Sequence, residues 1–229
     1  MKRTCPNLVP HRLFSQLTPE DFNPTRLEEV LWECGVESNL EESEFHYTPE
    51  LRDRCGSGVH SYQMPCQLAE FLTFLYRNRE EIRINSYLEL GVHKGGTFYI
   101  VDSFFRVINP DFQGSVAVDR NESMFEFRNY KNRFGSVEFV RSYTLDWTPP
   151  KVFDLVFVDD DHFYEHLVKE FPIYKPYARY MAFHDVVNQW CSGVVRFWNE
   201  IKNDYQHWEF TRQYIPENSM MGIGLIRVV

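Results

Sequence analysis

Three consecutive carboxylates and an imidazole, Asp159-Asp160-Asp161-His162, close the apolar run Phe153 to Val158. Crowded carboxylates raise one another's pKa, and a bound divalent ion reverses that cost. A second apolar stretch repeats the theme in Met181-Ala-Phe-His184-Asp185. As neighbouring parallel strands, the two would bring Asp159 and Asp185 to one point, with His162 and His184 beside them. Oxygen ligands suit a hard ion such as Mg²⁺, while histidine also admits Mn²⁺, Fe²⁺ or Zn²⁺. Such an ion can orient and acidify a substrate hydroxyl. His162, carried past the strand end by the Asp-x-x-His spacing, is the candidate base, because neutral imidazole accepts a proton near pH 7. Asp160 and Asp161 read as solvated or helix-capping groups, and His184 as a ligand or as a satisfied histidine under the sheet. His60, His93 and His166 read as surface or packing residues.

The other dense stretch is Tyr87-Leu-Glu-Leu-Gly-Val-His-Lys-Gly-Gly-Thr97, an apolar run that breaks at glycine and restarts as a helix. Gly91 and Gly95 allow backbone to approach a ligand, and the amides opening the next helix face it. The spacing is not the dinucleotide fingerprint, and Glu89 precedes the first glycine. Asp119 ends Val116-Ala-Val-Asp119, where its carboxylate could take both hydroxyls of a ribose or serve as a turn acid. Thr97 could add a hydroxyl to the site or cap the helix.

These residues need a sheet to hold them. Strands are expected at Ser86 to Leu90, Ser115 to Asp119, Ser136 to Val140, Phe153 to Val158 and Tyr180 to Phe183, with a closing hairpin at His207 to Tyr214 and Met221 to Val229. Helices are expected at about 97 to 107, 122 to 132, 163 to 174 and 193 to 202, with another from Cys66 to Asn78 ahead of the glycine turn. Alternation of this kind predicts an α/β, doubly wound, mostly parallel sheet. Residues 1–60 are proline-punctuated, with a helical pattern only at Arg26 to Cys34. They read as an N-terminal extension or cap on a domain spanning 61–229, joined through Gly56-Ser57-Gly58. Phe98, Tyr99, Phe104 and Phe105 fall at helical spacing, which predicts core. Phe163, Tyr164 and Trp190 read as packing residues, with walls of an acceptor pocket as the alternative.

The glycine turn with Glu89 resembles motif I of the class I S-adenosylmethionine-dependent methyltransferases. Together with Val158-Asp-Asp-Asp-His162, Phe183-His-Asp-Val186 and Gly193-Val-Val-Arg-Phe-Trp198, it is similar to small-molecule O-methyltransferases related to the cephalosporin-hydroxylase and macrolide-sugar methyltransferase group. The resemblance covers about residues 60 to 205. It implies a Rossmann-like methyltransferase sheet with a last, antiparallel strand. It implies that Glu89, Gly91, Gly95, Thr97, Asp119, Ser142 and Asp159 hold S-adenosyl-L-methionine, with Glu89 towards the methionine amino group and Ser142 towards adenine. It further implies that Asp159 and Asp185 bind the metal and His162 acts as base. His184 departs from the group, whose members carry an acid there, and so makes an uncertain third ligand. Ala178-Arg179 replaces a Gly-Gly turn. Acceptor choice would lie with the N-terminal segment and the loops around 121 to 126 and 186 to 192. A cofactor-binding relative without transferase activity, or a metal-dependent oxygenase or hydrolase, is the alternative reading.

Composition fits one α/β domain. The 229 residues are 43% hydrophobic and carry a formal charge of -9, which argues against a nucleic-acid partner. The five cysteines, Cys5, Cys34, Cys55, Cys66 and Cys191, include no C-x-x-C pair, so reduced thiols and a cytoplasmic setting are expected. No signal peptide or membrane span is expected from the sequence. The partner expected is a small-molecule acceptor, and a homo-oligomer built across the N-terminal extension is compatible.

Overall fold

The first strand, β1 (Ser86–Leu90), is buried along its whole length, as a central strand covered on both faces must be. In the computed structural model, which describes residues 6–37, 40–56 and 58–229, it is joined by β2 (Gly114–Asp119), β3 (Val137–Arg141), β4 (Phe153–Val158), β5 (Ala178–His184), β6 (Gln206–Phe210) and β7 (Ile223–Arg227). They form one sheet of order β3-β2-β1-β4-β5-β7-β6. The first five strands are parallel, and β7 pairs antiparallel with both β5 and β6. The strand sequence reverses direction between β1 and β4, the switch point at which doubly wound sheets bind ligands.

Alternate residues of each strand point to opposite faces, and each face has its own core. Tyr87, Ala117, Leu155, Phe157 and Ala182 pack beneath α1 (Val9–Phe14), α2 (Pro24–Cys34), α5 (Pro65–Arg77), α6 (Gly96–Ile108) and α7 (Phe127–Phe134). Leu88, Val118, Val156, Met181 and Phe183 pack beneath α8 (Tyr164–Tyr174) and α9 (Ser192–Ile201). Phe98, Tyr99, Phe104 and Phe105 are core, as their spacing predicts.

The N-terminal segment is more helical than its prolines suggest. Besides α2 it holds α1, α3 (Leu40–His46) and α4 (Pro49–Arg52). Pro10, Pro24 and Pro49 occupy the first turns, where the missing N–H costs no intrahelical bond. Asn23 caps α2 by accepting from the Arg26 amide at 3.1 Å. Phe14, Phe22, Leu27, Val30 and Leu31 share the core of the first sheet face. The glycine joint is tied down on both sides: the Gly56 amide donates to the Val36 carbonyl at 2.6 Å and the Val59 amide to Cys34 at 2.9 Å. Ser57 and Cys5 lie outside the described residues, and no disulfide joins two of the described cysteines.

Three further boundaries differ from expectation. The helix expected at 122 to 132 begins at Phe127, because residues ahead of it bond to the glycine turn: Ser123 donates to the His93 carbonyl at 2.8 Å and the Phe125 amide to Lys94 at 3.0 Å. β6 ends at Phe210, and the chain then detours over Gln67, whose amide donates to the Arg212 and Met220 carbonyls at 3.0 and 3.1 Å. Arg179 lies within β5 rather than in a turn, and donates to Asp154 at 2.8 Å. Among the described residues no helix is long and apolar enough to cross a membrane.

Candidate functional site

Register alone assembles the site. Leu90 pairs with Val118 on one side and Val158 on the other, and Val158 pairs with Phe183. The next residues, Asp119, Gly91, Asp159 and His184, therefore line up along the carboxyl edge of β2, β1, β4 and β5. Two backbone bonds extend this order past the strand ends, from the Gly91 amide to Val118 and from the Asp159 amide to Leu90, both at 2.9 Å. Gly91 has φ 78°, and a Cβ there would lie 2.2 Å from the Asp159 carbonyl oxygen. Only glycine lets β1 and β4 approach so closely at this point.

Asp159, His162, His184 and Asp185 converge. Nδ1 of His184 lies 3.0 Å from Oδ1 of Asp159 and 3.6 Å from Oδ2 of Asp185. Nε2 of His162 lies 3.0 Å from Oδ2 of Asp185 and 3.6 Å from Oδ1 of Asp159. The remaining carboxylate oxygens are fixed: Gln63 donates to Asp159 Oδ2 at 3.0 Å, and Asn188 donates to Asp185 Oδ1 at 2.8 Å. Asp185 itself sits at φ 65°, an uncommon conformation for a residue with a side chain and one that accompanies functional sites. Nε2 of His184 is buried and has no hydrogen-bond partner among the described residues.

Burial works against ionising either aspartate, but His184 and His162 outweigh it and hold both carboxyls below their ordinary value. Burial likewise opposes a charge on His184, and Asp159 and Asp185 override it upwards. Hydrogen bonds to Asp159 and Asp185 push His162 up to about 10. The two imidazoles thus balance the two acids in this arrangement, and His162, pushed up to about 10, is held towards its protonated form rather than poised as the neutral base that its position suggests.

The glycine turn lies alongside. Glu89 is buried, accepts from the Tyr87 hydroxyl, and has its carboxyl pushed well above the ordinary range by burial. With Gly91, Lys94 and Thr97 it lines a small cavity of about 30 Å³ that also meets Asp159. Gly95, at φ 86°, opens α6. The chain at 60–61 lies directly over the turn, since a Cβ on Gly96 would lie 2.5 Å from the Ser61 amide nitrogen. Asp119 accepts the His93 amide at 2.9 Å and the Asn121 amide at 2.7 Å, one on each oxygen, as a turn acid does. Ser142 is anchored to Asp119 through its amide at 3.0 Å, and its hydroxyl donates to the Tyr143 carbonyl at 3.1 Å. Neither Asp119 nor Ser142 lines the cavities at Asp159.

Several neighbours depart from their sequence reading. Asp160 and Asp161 are neither solvated nor capping: Asp160 lies 3.2 Å from His166 Nε2 and Asp161 lies 3.6 Å from its Nδ1. His166 is a buried hub, also 3.3 Å from Glu170. Phe163 and Trp190 are 71% and 49% exposed rather than core. A cavity of about 530 Å³ opens over Asp159, His162, His184 and Asp185, walled by Glu37, His46, Tyr62, Asn188, Trp190 and Cys191. The N-terminal segment and the 186 to 192 loop thus reach it, whereas residues 121 to 126 do not line it. Gln63 and His46 were missed because no spacing ties them to the aspartates; Asn188 and Cys191 follow His184-Asp185 closely enough to have been suspected.

No family model matches the chain, and no curated protein matches it. Solved structures do. The O-methyltransferase NovP superposes with a TM-score of 0.59 at 14% identity, covering 93% of this chain and 99% of NovP. Cofactor-bound Rv0187 from MTB gives 0.52 at 20% identity over 70% of this chain and 80% of its own. The N-methyltransferase NodS from Bradyrhizobium japonicum WM9 gives 0.51 at 12% identity over 70% and 96%. This is the class I methyltransferase fold. The likeness is one of architecture and spans N- as well as O-methyltransferases. In that fold the edge bearing Gly91, Asp159 and His184 is the ligand-binding edge of the sheet, and the cavity over the aspartates adjoins it.

Proposed function

We propose that the chain is an S-adenosylmethionine-dependent methyltransferase that methylates a hydroxyl of a small-molecule acceptor with the help of a divalent ion, Mg²⁺ by ligand chemistry. The observation that supports it is the convergence of two aspartates and two histidines on a cavity beside the glycine turn, on the ligand edge of a class I methyltransferase sheet.

The residues present fit both groups. Glu89 is a buried carboxylate whose charge is opposed by its surroundings, and an ammonium in the adjoining small cavity would relieve it, as the methionine end of the cofactor requires. Gly91, Gly95 and Thr97 shape that turn, and Asp159 borders it. Asp119 and Ser142 would serve the ribose and adenine from the next strand ends. For the ion, Asp159, His184 and Asp185 place ligand atoms within 4.8 Å of one another, a mixed oxygen and imidazole set suited to Mg²⁺ or Mn²⁺.

S-adenosylmethionine, when bound, would supply an electrophilic methyl carbon, the acceptor oxygen forming the C–O bond as the C–S bond breaks and the thioether leaves. A divalent ion held by Asp159, Asp185 and His184 would lower the pKa of the acceptor hydroxyl. With the two acids so neutralised, the His162 imidazole would return towards its ordinary value, and its Nε2 would take the hydroxyl proton. The side chain is 46% exposed and can pass the proton to solvent. Gln63 and Asn188 fix the carboxylates, which keeps the reacting geometry narrow.

Calorimetry with S-adenosylhomocysteine and with Mn²⁺ tests the reading. Binding of both is expected, with the metal signal lost in Asp159→Ala. Absence of cofactor binding would sink it, and methyl transfer that survives Asp159→Ala would favour a metal-free transferase.

A further inference from the structure

The cavity over the aspartates has two unlike halves. Its floor is charged, and its carboxylates are held: Gln63 donates to Asp159 and Asn188 to Asp185. Its wall is a chain of rings. Trp190, His46 and Tyr62 line it, His46 stands 6.0 Å from Trp190 and 6.3 Å from Tyr62 between centroids, and Phe45 meets Trp190 edge-on at 5.2 Å and 79°.

Two features of this wall ask for a ligand. Phe45 and Trp190 are 44% and 49% exposed, while the large aromatics of the sheet faces are buried. Adjacent exposed rings at the mouth of a cavity mark a binding surface. His46 is the opposite case. It is 3% exposed, yet its Nε2 has no hydrogen-bond partner among the described residues, and a buried polar atom left unpaired is costly. Burial pulls His46 down to about 4, so at neutral pH the ring is uncharged.

We propose that the acceptor is a planar aromatic molecule, its reacting hydroxyl at the Asp159–Asp185 floor and a polar substituent at its far end paired with His46. The inference rests on the methyl-transfer reading above and narrows its acceptor. A sugar carries hydroxyls around its ring and needs a polar partner for most of them, because desolvated hydroxyls are expensive. Among the described residues the cavity's buried, unpaired polar atoms are Nε2 of His46, Nε2 of His184 and Oε2 of Glu37, fewer than the hydroxyls of a sugar call for. An aromatic ring needs no polar partner on its faces, and it continues the edge-to-face pattern already set by Phe45 and Trp190.

The test is binding to the full chain, with S-adenosylhomocysteine and Mg²⁺ present, of 4-hydroxybenzyl alcohol and of methyl β-D-glucopyranoside, followed by tryptophan fluorescence and calorimetry. The phenol is expected to bind and quench emission, with little response to the glucoside. Trp190→Ala should weaken phenol binding by about tenfold and remove most of the quenching, while Trp190→Phe keeps the affinity within about threefold. His46→Phe should weaken the phenol about tenfold and leave unsubstituted phenol, which has no far polar group, nearly unaffected. Circular dichroism confirms that each variant is folded; the half-exposed Trp190 is the safer of the two. Tighter binding of the glucoside, or phenol binding untouched in Trp190→Ala, overturns the inference. So does binding of neither probe, in which case retained S-adenosylhomocysteine binding leaves methyl transfer standing. Loss of S-adenosylhomocysteine binding removes the methyl-transfer reading and this inference with it.

Discussion

Nδ1 of His184 faces Oδ1 of Asp159 at 3.0 Å across two neighbouring parallel strands, and against the burial that opposes both charges each shifts the other's pKa towards its ionised form. Removing Asp159 leaves His184 with Asp185 alone, 3.6 Å away, and breaking a buried pair outright costs roughly 3–5 kcal/mol, which sets the upper bound. Asp159→Asn is therefore expected to lower the urea midpoint markedly at neutral pH and to abolish Mn²⁺ binding. An unchanged midpoint would mean that His184 is neutral in the folded protein.

Gly91→Ala should fail for a backbone reason. The added carbon would lie 2.2 Å from the Asp159 carbonyl and 2.5 Å from Asp160 Cα, at a φ of 78°. A strained conformation of this kind costs about 1–3 kcal/mol, and relief of the clash must move the residue that carries the site. Denaturation and Mn²⁺ titration together should show lost stability and about tenfold weaker metal binding, the latter following from displacement of Asp159.

Glu89→Gln is expected to separate stability from binding. Burial raises the Glu89 carboxyl pKa, so its ionised form penalises the folded state as pH rises above the ordinary carboxyl range. The variant lacks that penalty. Its thermal midpoint should exceed that of the parent at pH 8 and differ less at pH 4. S-adenosylhomocysteine should bind at least about tenfold more weakly, since hydrogen bonds to charged groups contribute about 1.5–3 kcal/mol. A variant less stable at pH 8 would contradict this account.

The buried His166 makes the pH dependence of stability readable. Burial opposes its charge, but hydrogen bonds to Asp160 and Glu170 push its pKa up from 6.5 to about 10. A raised imidazole pKa gives stability that is fully present below pH 6.5 and lost as pH climbs through about 10. Melting curves should therefore fall between pH 7 and 10 in the parent and fall less in His166→Asn. Parallel slopes would exclude His166 as the source.

The sheet was legible because its signals are local. β1 and β4 fall where their apolar runs place them, and the three residues were found because Gly91 and Asp159 stand one step past a strand end and His184 closes β5. Neighbouring register then did the rest. What the sequence hid depends on contacts between distant segments. The amides of His93 and Asn121 that take up the Asp119 carboxylate come from two separate loops, and Gln63 meets Asp159 across 96 positions of chain. His166 looked isolated because its partners Asp160 and Asp161 were assigned to solvent. The first helix was obscured by Pro10, which reads as a break but sits in its first turn.

The floor of the cavity and its wall come from different kinds of structure. Asp159, His184 and Asp185 are carried by strands whose register cannot slip without turning every side chain to the other face. Phe45, His46, Tyr62 and Trp190 belong to α3 and to connections outside the sheet. A lineage of such proteins can therefore exchange ring for ring on the wall, trying new acceptors, while the ion-binding acids stay where the sheet puts them.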